Sequence, residues 1–117
     1  MDIMDRLNFI KKYDPDGAAR IEKLLSKKDG LQQSNAYGES FTERQFYLVF
    51  NPLIDAAWER AKILEVLSGG DTTIIHIAGV LQMERSRVFN HIKELKRRGL
   101  IEISGYDGRD PIYCLKR

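Results

Sequence analysis

Thr73–Leu115, TIIHIAGVLQMERSRVFNHIKELKRRGLIEISGYDGRDPIYCL, decides how the chain is read. Ile74, Ile77, Ala78 and Leu81 recur at helical spacing, which predicts a short helix over residues 73–81 with Asp71 or Thr72 as its cap. After a tight turn, a second helix is expected over 84–98, stopping at Gly99, the residue type that a left-handed C-terminal cap prefers. Leu100–Ser104 and Pro111–Lys116 then read as two strands around the turn Gly105-Tyr106-Asp107-Gly108. The order is therefore helix, turn, cationic helix, hairpin.

A chain of 117 residues suits one domain of ordinary size, or a smaller domain with an appended arm. Apolar residues make up 43% and charged residues 31%, a balance that allows a real core in a soluble chain. No apolar run approaches the roughly 18 residues of a membrane-spanning helix. The N-terminus, MDIMDRLNFIKKYDPDG, has no signal-peptide core, so a cytoplasmic protein is expected. The single cysteine, Cys114, rules out an internal disulfide and a cysteine-based zinc site made by one chain; in IYCLK it reads as a small residue of the last strand.

The net charge is only +2, but its distribution is uneven. Residues 1–57 hold eight Lys/Arg against nine Asp/Glu, and residues 58–117 hold eleven against eight. Between Arg85 and Arg98 lie six cations, Arg85, Arg87, Lys93, Lys96, Arg97 and Arg98, and one acid, Glu94. A local basic stripe on a balanced protein is the electrostatic footprint of phosphate-backbone binding. Taken alone, it reads more simply as a solvated helix face.

Upstream, two helices are expected, at 2–13 (Ile3, Leu7, Ile10) and 16–28 (Ala19, Ile21, Leu24, Leu25), separated by Asp14-Pro15-Asp16 with Asp16 as cap. Residues 29–40, DGLQQSNAYGES, are polar and aperiodic and read as a loop or hinge. Phe41–Phe50 is rich in aromatics and fits either a short helix capped at Thr42 or a strand. Asn51-Pro52 looks like a helix start, giving a helix over 52–68 with Leu53, Ala57, Ala61, Leu64 and Leu67 on one face and Gly69-Gly70 as its end. The division expected is thus an N-terminal helical arm at 1–50 and a second domain at 51–117.

At about 100° per residue, helix 84–98 places Val88, Ile92 and Leu95 on one face. Ser86, Asn90, Lys93 and Arg97 lie opposite, with Arg87, Phe89 and Glu94 beside them. Asn can bridge adenine, Arg can bridge guanine, and Ser can meet base or phosphate. Lys96, Arg97 and Arg98, at the C-terminal end, suit phosphate contact or the helix dipole. Arg85 lies nearer the apolar side but can swing to a phosphate from the first turn. Phe89 meets either a thymine methyl or, more simply, a neighbouring element of the protein. Arg109, just past the hairpin tip, suits a narrow minor groove, although Asp107 and Asp110 weaken its potential; an ordinary exposed loop arginine explains it nearly as well.

Ala78, Val88, His91-Ile92, Leu95, Gly99-Leu100-Ile101, Gly108-Arg109 and Ile112-Tyr113 form an ordered set. Through it residues 73–115 resemble the winged helix-turn-helix of ArsR-type regulators, and secondarily of MarR-type regulators. The resemblance implies a mainly α fold with a small β-hairpin wing and extra N-terminal helices. It makes helix 84–98 the recognition helix and 105–110 the wing. It also implies a homodimer on two-fold double-stranded DNA, with Leu7, Ile10, Phe46, Leu48, Phe50 and Trp58 as interface candidates. Each of these is equally ordinary core. Three positions depart from the pattern. Gln82 stands where the turn usually has Gly, and Glu84 where a Ser or Thr cap is common. The clustered ligands of the metal sensors are missing, His76 and His91 being the only histidines, so no metal or cofactor is expected.

No nucleophile constellation or glycine-rich phosphate loop is written in the chain, so no enzyme is expected. The expectation is sequence-specific duplex DNA binding and transcriptional regulation through Arg85, Ser86, Arg87, Asn90, Lys93, Lys96, Arg97 and Arg109, with the effector, if any, unspecified. The alternative is a winged helix used as a protein–protein interaction module or adaptor subunit, for which fold alone is no objection. RNA binding is disfavoured because no aromatics are set out for base stacking on a sheet.

Overall fold

The structure, a computed structural model, describes residues 2–28 and 42–116. The loop read at 29–40, together with Phe41, lies outside the described residues. The elements are α1 (Ile3–Tyr13), α2 (Pro15–Ser26), α3 (Glu43–Ser68), β1 (Thr72–Thr73), α4 (Ile74–Leu81), α5 (Arg85–Arg97), β2 (Ile101–Asp107) and β3 (Asp110–Leu115). The described chain is mainly helical with one small antiparallel sheet in the order β1-β3-β2. It divides into two compact units, Met1–Trp58 and Glu59–Arg117, with the boundary inside α3. No helix among the described residues is long and apolar enough to cross a membrane.

In the first unit, α1 begins where the Asp2 carboxylate accepts from the Asp5 N–H at 2.8 Å. Asp14 ends α1 and caps α2, its Oδ1 accepting from the Gly17 N–H at 3.0 Å. The cap expected at Asp16 is therefore corrected to Asp14. Pro15 takes the first helical position, where its missing N–H costs nothing, and so the residue before it becomes the cap. Asp14 is buried, and a Cβ on Gly17 would lie 2.2 Å from its Oδ2, so this corner has room only for glycine. Along α2, Ala18 and Ile21 are buried and Ala19 is exposed.

The largest correction concerns α3. It starts at Glu43, not at Pro52, and Pro52 lies inside it. Thr42 and Gln45 form a reciprocal capping box: Thr42 Oγ1 accepts from the Gln45 N–H at 3.1 Å, and Gln45 Oε1 accepts from the Thr42 N–H at 2.9 Å. Phe46, Phe50, Ile54 and Ala57 are buried at helical spacing, and the Phe46 and Phe50 rings stack at 5.3 Å. Burying two phenylalanines is worth roughly 1.5–3 kcal/mol each, enough to offset the roughly 3 kcal/mol that an interior proline costs. Leu53, expected on the inner face, is exposed, and Ile54 takes its place.

In the second unit, Ala61, Ile63, Leu64 and Leu67 of α3 are buried, as are Ile77 and Ala78 of α4, Val88, Ile92 and Leu95 of α5, and Ile101 and Tyr113 of the sheet. Thr73, rather than Asp71 or Thr72, caps α4, its Oγ1 accepting from the His76 N–H at 3.3 Å. The same residue belongs to β1, where Thr72 pairs with Tyr113 and Thr73 with Ile112. The expected hairpin is thus part of a three-stranded sheet; a two-residue strand is too short to show alternation in sequence. Gln82 takes the left-handed conformation (φ 53°, ψ 47°) where α4 ends, and Met83 N–H donates to the Ala78 carbonyl at 3.0 Å. Glu84 takes the capping position before α5, but its side chain makes no capping hydrogen bond. It ends in a Schellman motif, with Gly99 at φ 74°, Gly99 N–H on the Lys96 carbonyl and Leu100 N–H on that of Leu95.

The hairpin is tighter than the turn read at 105–108. Asp107 pairs with Asp110 across a two-residue loop, Gly108-Arg109, and Gly108 takes the positive φ (63°) that the first position of such a loop favours. The strand extends because the pairing slips at Ser104: Ile103 faces Tyr113, and Gly105 faces Ile112. Ser104 is the extra residue of a β-bulge.

Candidate nucleic-acid interface

All of the candidate contact residues lie within the second unit. Val88, Ile92 and Leu95 are buried and fix which way α5 faces, leaving Arg85, Ser86, Arg87, Phe89, Asn90, Lys93, Lys96 and Arg97 exposed. The helical period thus separates an apolar back from a polar front, as the sequence led one to expect. The side chains of Ser86, Asn90, Arg85 and Lys96 make no hydrogen bond or ion pair among the described residues. These groups meet an incoming partner without first giving up a protein contact.

Two of the arginines are held. Arg87 donates through Nε (3.2 Å) and Nη2 (2.7 Å) to Oε1 of Glu59, and His91 Nε2 lies 3.4 Å from the same oxygen. Glu59 and His91 are largely enclosed, with side chains 14% and 12% exposed, whereas Arg87 is 59% exposed. Burial holds the His91 pKa below its ordinary value, and the Glu59 carboxylate opposes that shift. Arg97 forms a two-pronged pair with Glu94, at 2.9 Å and 2.5 Å. Its guanidinium holds the Glu94 carboxyl below the usual range and is itself raised by that carboxylate. Arg97 therefore presents a partly neutralised charge.

Phe89, expected to pack against a neighbouring element, is only partly covered: it is 46% exposed, with the Lys93 ammonium 5.1 Å from its ring centroid. Together with Ile74, Ile75, Arg85, Ser86, Asp110 and Pro111 it lines a shallow groove of about 370 Å³. Arg109 occupies the hairpin loop itself and is exposed. Among the described residues, no group of three or more His, Cys, Asp or Glu side chains is placed to hold a metal ion.

Sequence reasoning missed Glu59. It lies 28 and 32 residues before its partners, and the only hint was that Arg87 and His91 are four apart and so share one helix flank. The interface candidates also need correction: Leu7, Ile10, Phe46 and Phe50 are core residues, and of the six only Leu48 is fully on the surface. Neither a family model nor a curated protein sequence matches the chain.

Proposed function

We propose that the second unit is a winged helix-turn-helix that binds duplex DNA, with α5 in the major groove and the Gly108-Arg109 hairpin as the wing, and that the chain regulates transcription by occupying sites near promoters. The observation that carries this reading is the front of α5. Ser86 and Asn90 offer unengaged hydrogen-bonding groups, flanked by Arg85, Lys93 and Lys96 and aimed outward by a fully apolar back. Asn and Ser at such positions suit base edges, and the flanking cations suit phosphates. Arg109 at the loop suits the adjacent backbone or minor groove. A two-fold operator would call for two copies of the chain, and among the described residues Leu48, Val49 and Leu53 of α3 are exposed apolar side chains that such a contact could use.

A second reading, a winged helix used as a protein adaptor, draws support from one observation: Phe89 and Ile75 are exposed apolar residues on the same groove. Fluorescence anisotropy separates the two, using duplexes tiled across the DNA upstream of the chain's own gene, a scrambled control and a salt series. Tight, sequence-selective, salt-sensitive binding is expected. Within it, Asn90→Ala should cost about 1–3 kcal/mol of specific affinity, and Lys96→Ala should weaken all sequences alike and flatten the salt slope. Only weak binding that salt erases, equal for every duplex, would move the assignment to the adaptor.

A further inference from the structure

We infer that Phe89 reads the 5-methyl group of a thymine, so that the preferred DNA site carries an A·T pair beside the start of α5; this rests on the DNA-binding reading above. Phe89 lies one turn into the helix, and its neighbours on the exposed surface are Arg85 and Ser86 before it and Asn90 and Lys93 after it. An aromatic side chain left 46% exposed among polar residues keeps nearly half of its apolar surface open to a partner. In the major groove the apolar feature of a base edge is the thymine methyl, and phenylalanine is among the residues that meet it.

The surroundings fit that role. The Lys93 ammonium lies over the ring, 5.1 Å from its centroid, and keeps a positive charge beside it at the helix surface. Ile75, 44% exposed, and Pro111 continue the apolar lining of the groove, so a methyl entering there meets carbon on more than one side. Arg85 and Ser86 border the same groove and can hold the phosphate or base next to it. Asn90 is the next residue in the chain, and its amide suits the N6 and N7 atoms of adenine. A methyl reader beside an adenine reader points to A·T pairing at this place, since one such pair presents both features in the major groove.

The test begins by enriching a randomised duplex library on the purified chain. Each thymine of the enriched site is then replaced in turn by deoxyuridine, which removes the methyl and nothing else, and affinity is read by anisotropy for the wild type and for Phe89→Ala. At one position uridine should weaken wild-type binding about fourfold, the factor for one methyl returned to water, and Phe89→Ala should bind both duplexes equally. Uridine tolerated at every position, or discrimination that persists in Phe89→Ala, would overturn the assignment while leaving specific DNA binding intact. A library that enriches no sequence would instead overturn the DNA-binding reading, and this inference with it.

Discussion

Replacing Glu59 by glutamine removes a charge at the point where α3 and α5 meet in the second unit, while keeping the side chain's volume and one acceptor oxygen. Two Arg87 donors converge on Glu59 Oε1 at 3.2 and 2.7 Å, with His91 Nε2 at 3.4 Å. A shielded hydrogen bond to a charged group contributes about 1.5–3 kcal/mol, and an exposed ion pair about 0.2–1. Glu59 is enclosed but Arg87 is more than half exposed, so solvent takes over much of what the carboxylate provided. The expected loss is therefore about 1 kcal/mol, or about 4–8 °C in Tm for a unit of this size. Urea unfolding followed by circular dichroism should show a lower midpoint at an unchanged slope. Paired with Arg87→Gln in a double-mutant cycle, the coupling should be about 0.5–1 kcal/mol. Additivity within about 0.3 kcal/mol would refute the pairing. A loss of 3 kcal/mol or more would refute the discount for exposure and place the pair among fully buried ones.

Three further outcomes follow from the geometry. His91 is held below its ordinary pKa of about 6.5, so the folded state binds fewer protons than the unfolded one. Stability should fall as pH drops below about 6.5, and His91→Gln should reduce that dependence when midpoints are compared at pH 5.5 and 7.5. Gln82 occupies a left-handed conformation that costs a non-glycine residue about 1–2 kcal/mol; Gln82→Gly should raise the urea midpoint, and an unchanged or lower midpoint would count against the turn as described. Gly17→Ala would place a Cβ 2.2 Å from Asp14 Oδ2 and displace the cap of α2, lowering stability by about 1–2 kcal/mol, which thermal melting would register; a neutral result would mean that Asp14 has another way to cap.

The elements of Thr73–Leu115 were legible because their signals are local. Ile92 and Leu95 answer to a helical period, and Gly99 and Gly108 mark positions where φ must be positive. What failed was non-local. Pro52 is the strongest helix-start signal in the chain, yet it is overruled by the packing of Phe46, Phe50 and Ile54, which no window of a few residues can weigh. The apolar periodicity of α1 was read correctly and that of α3 only in its second half, and neither could tell an internal core from a dimer surface; Leu7, Ile10, Phe46 and Phe50 proved internal. At the candidate site, the exposed front of α5 followed from the position of its buried back. The restraint of Arg87 did not, because its partner Glu59 lies on a different helix. The exposure of Phe89 also depended on which elements reach it, a question of tertiary placement.

The bulge at Ser104 has a bearing on how the chain behaves in concentrated solution. β2 lies at the margin of the sheet, and on its outer side it pairs with no strand among the described residues. Seven extended residues with open backbone groups are a template onto which another chain can add. Ser104 breaks that template near its middle: the extra residue changes the register, twists the strand, and spaces the donors and acceptors on either side so that a straight incoming strand cannot match both. Glu102, exposed on the same strand, adds a charge that such a partner would have to meet. The irregularity that lengthens the hairpin thus also makes its rim a poorer template for fibrillar stacking.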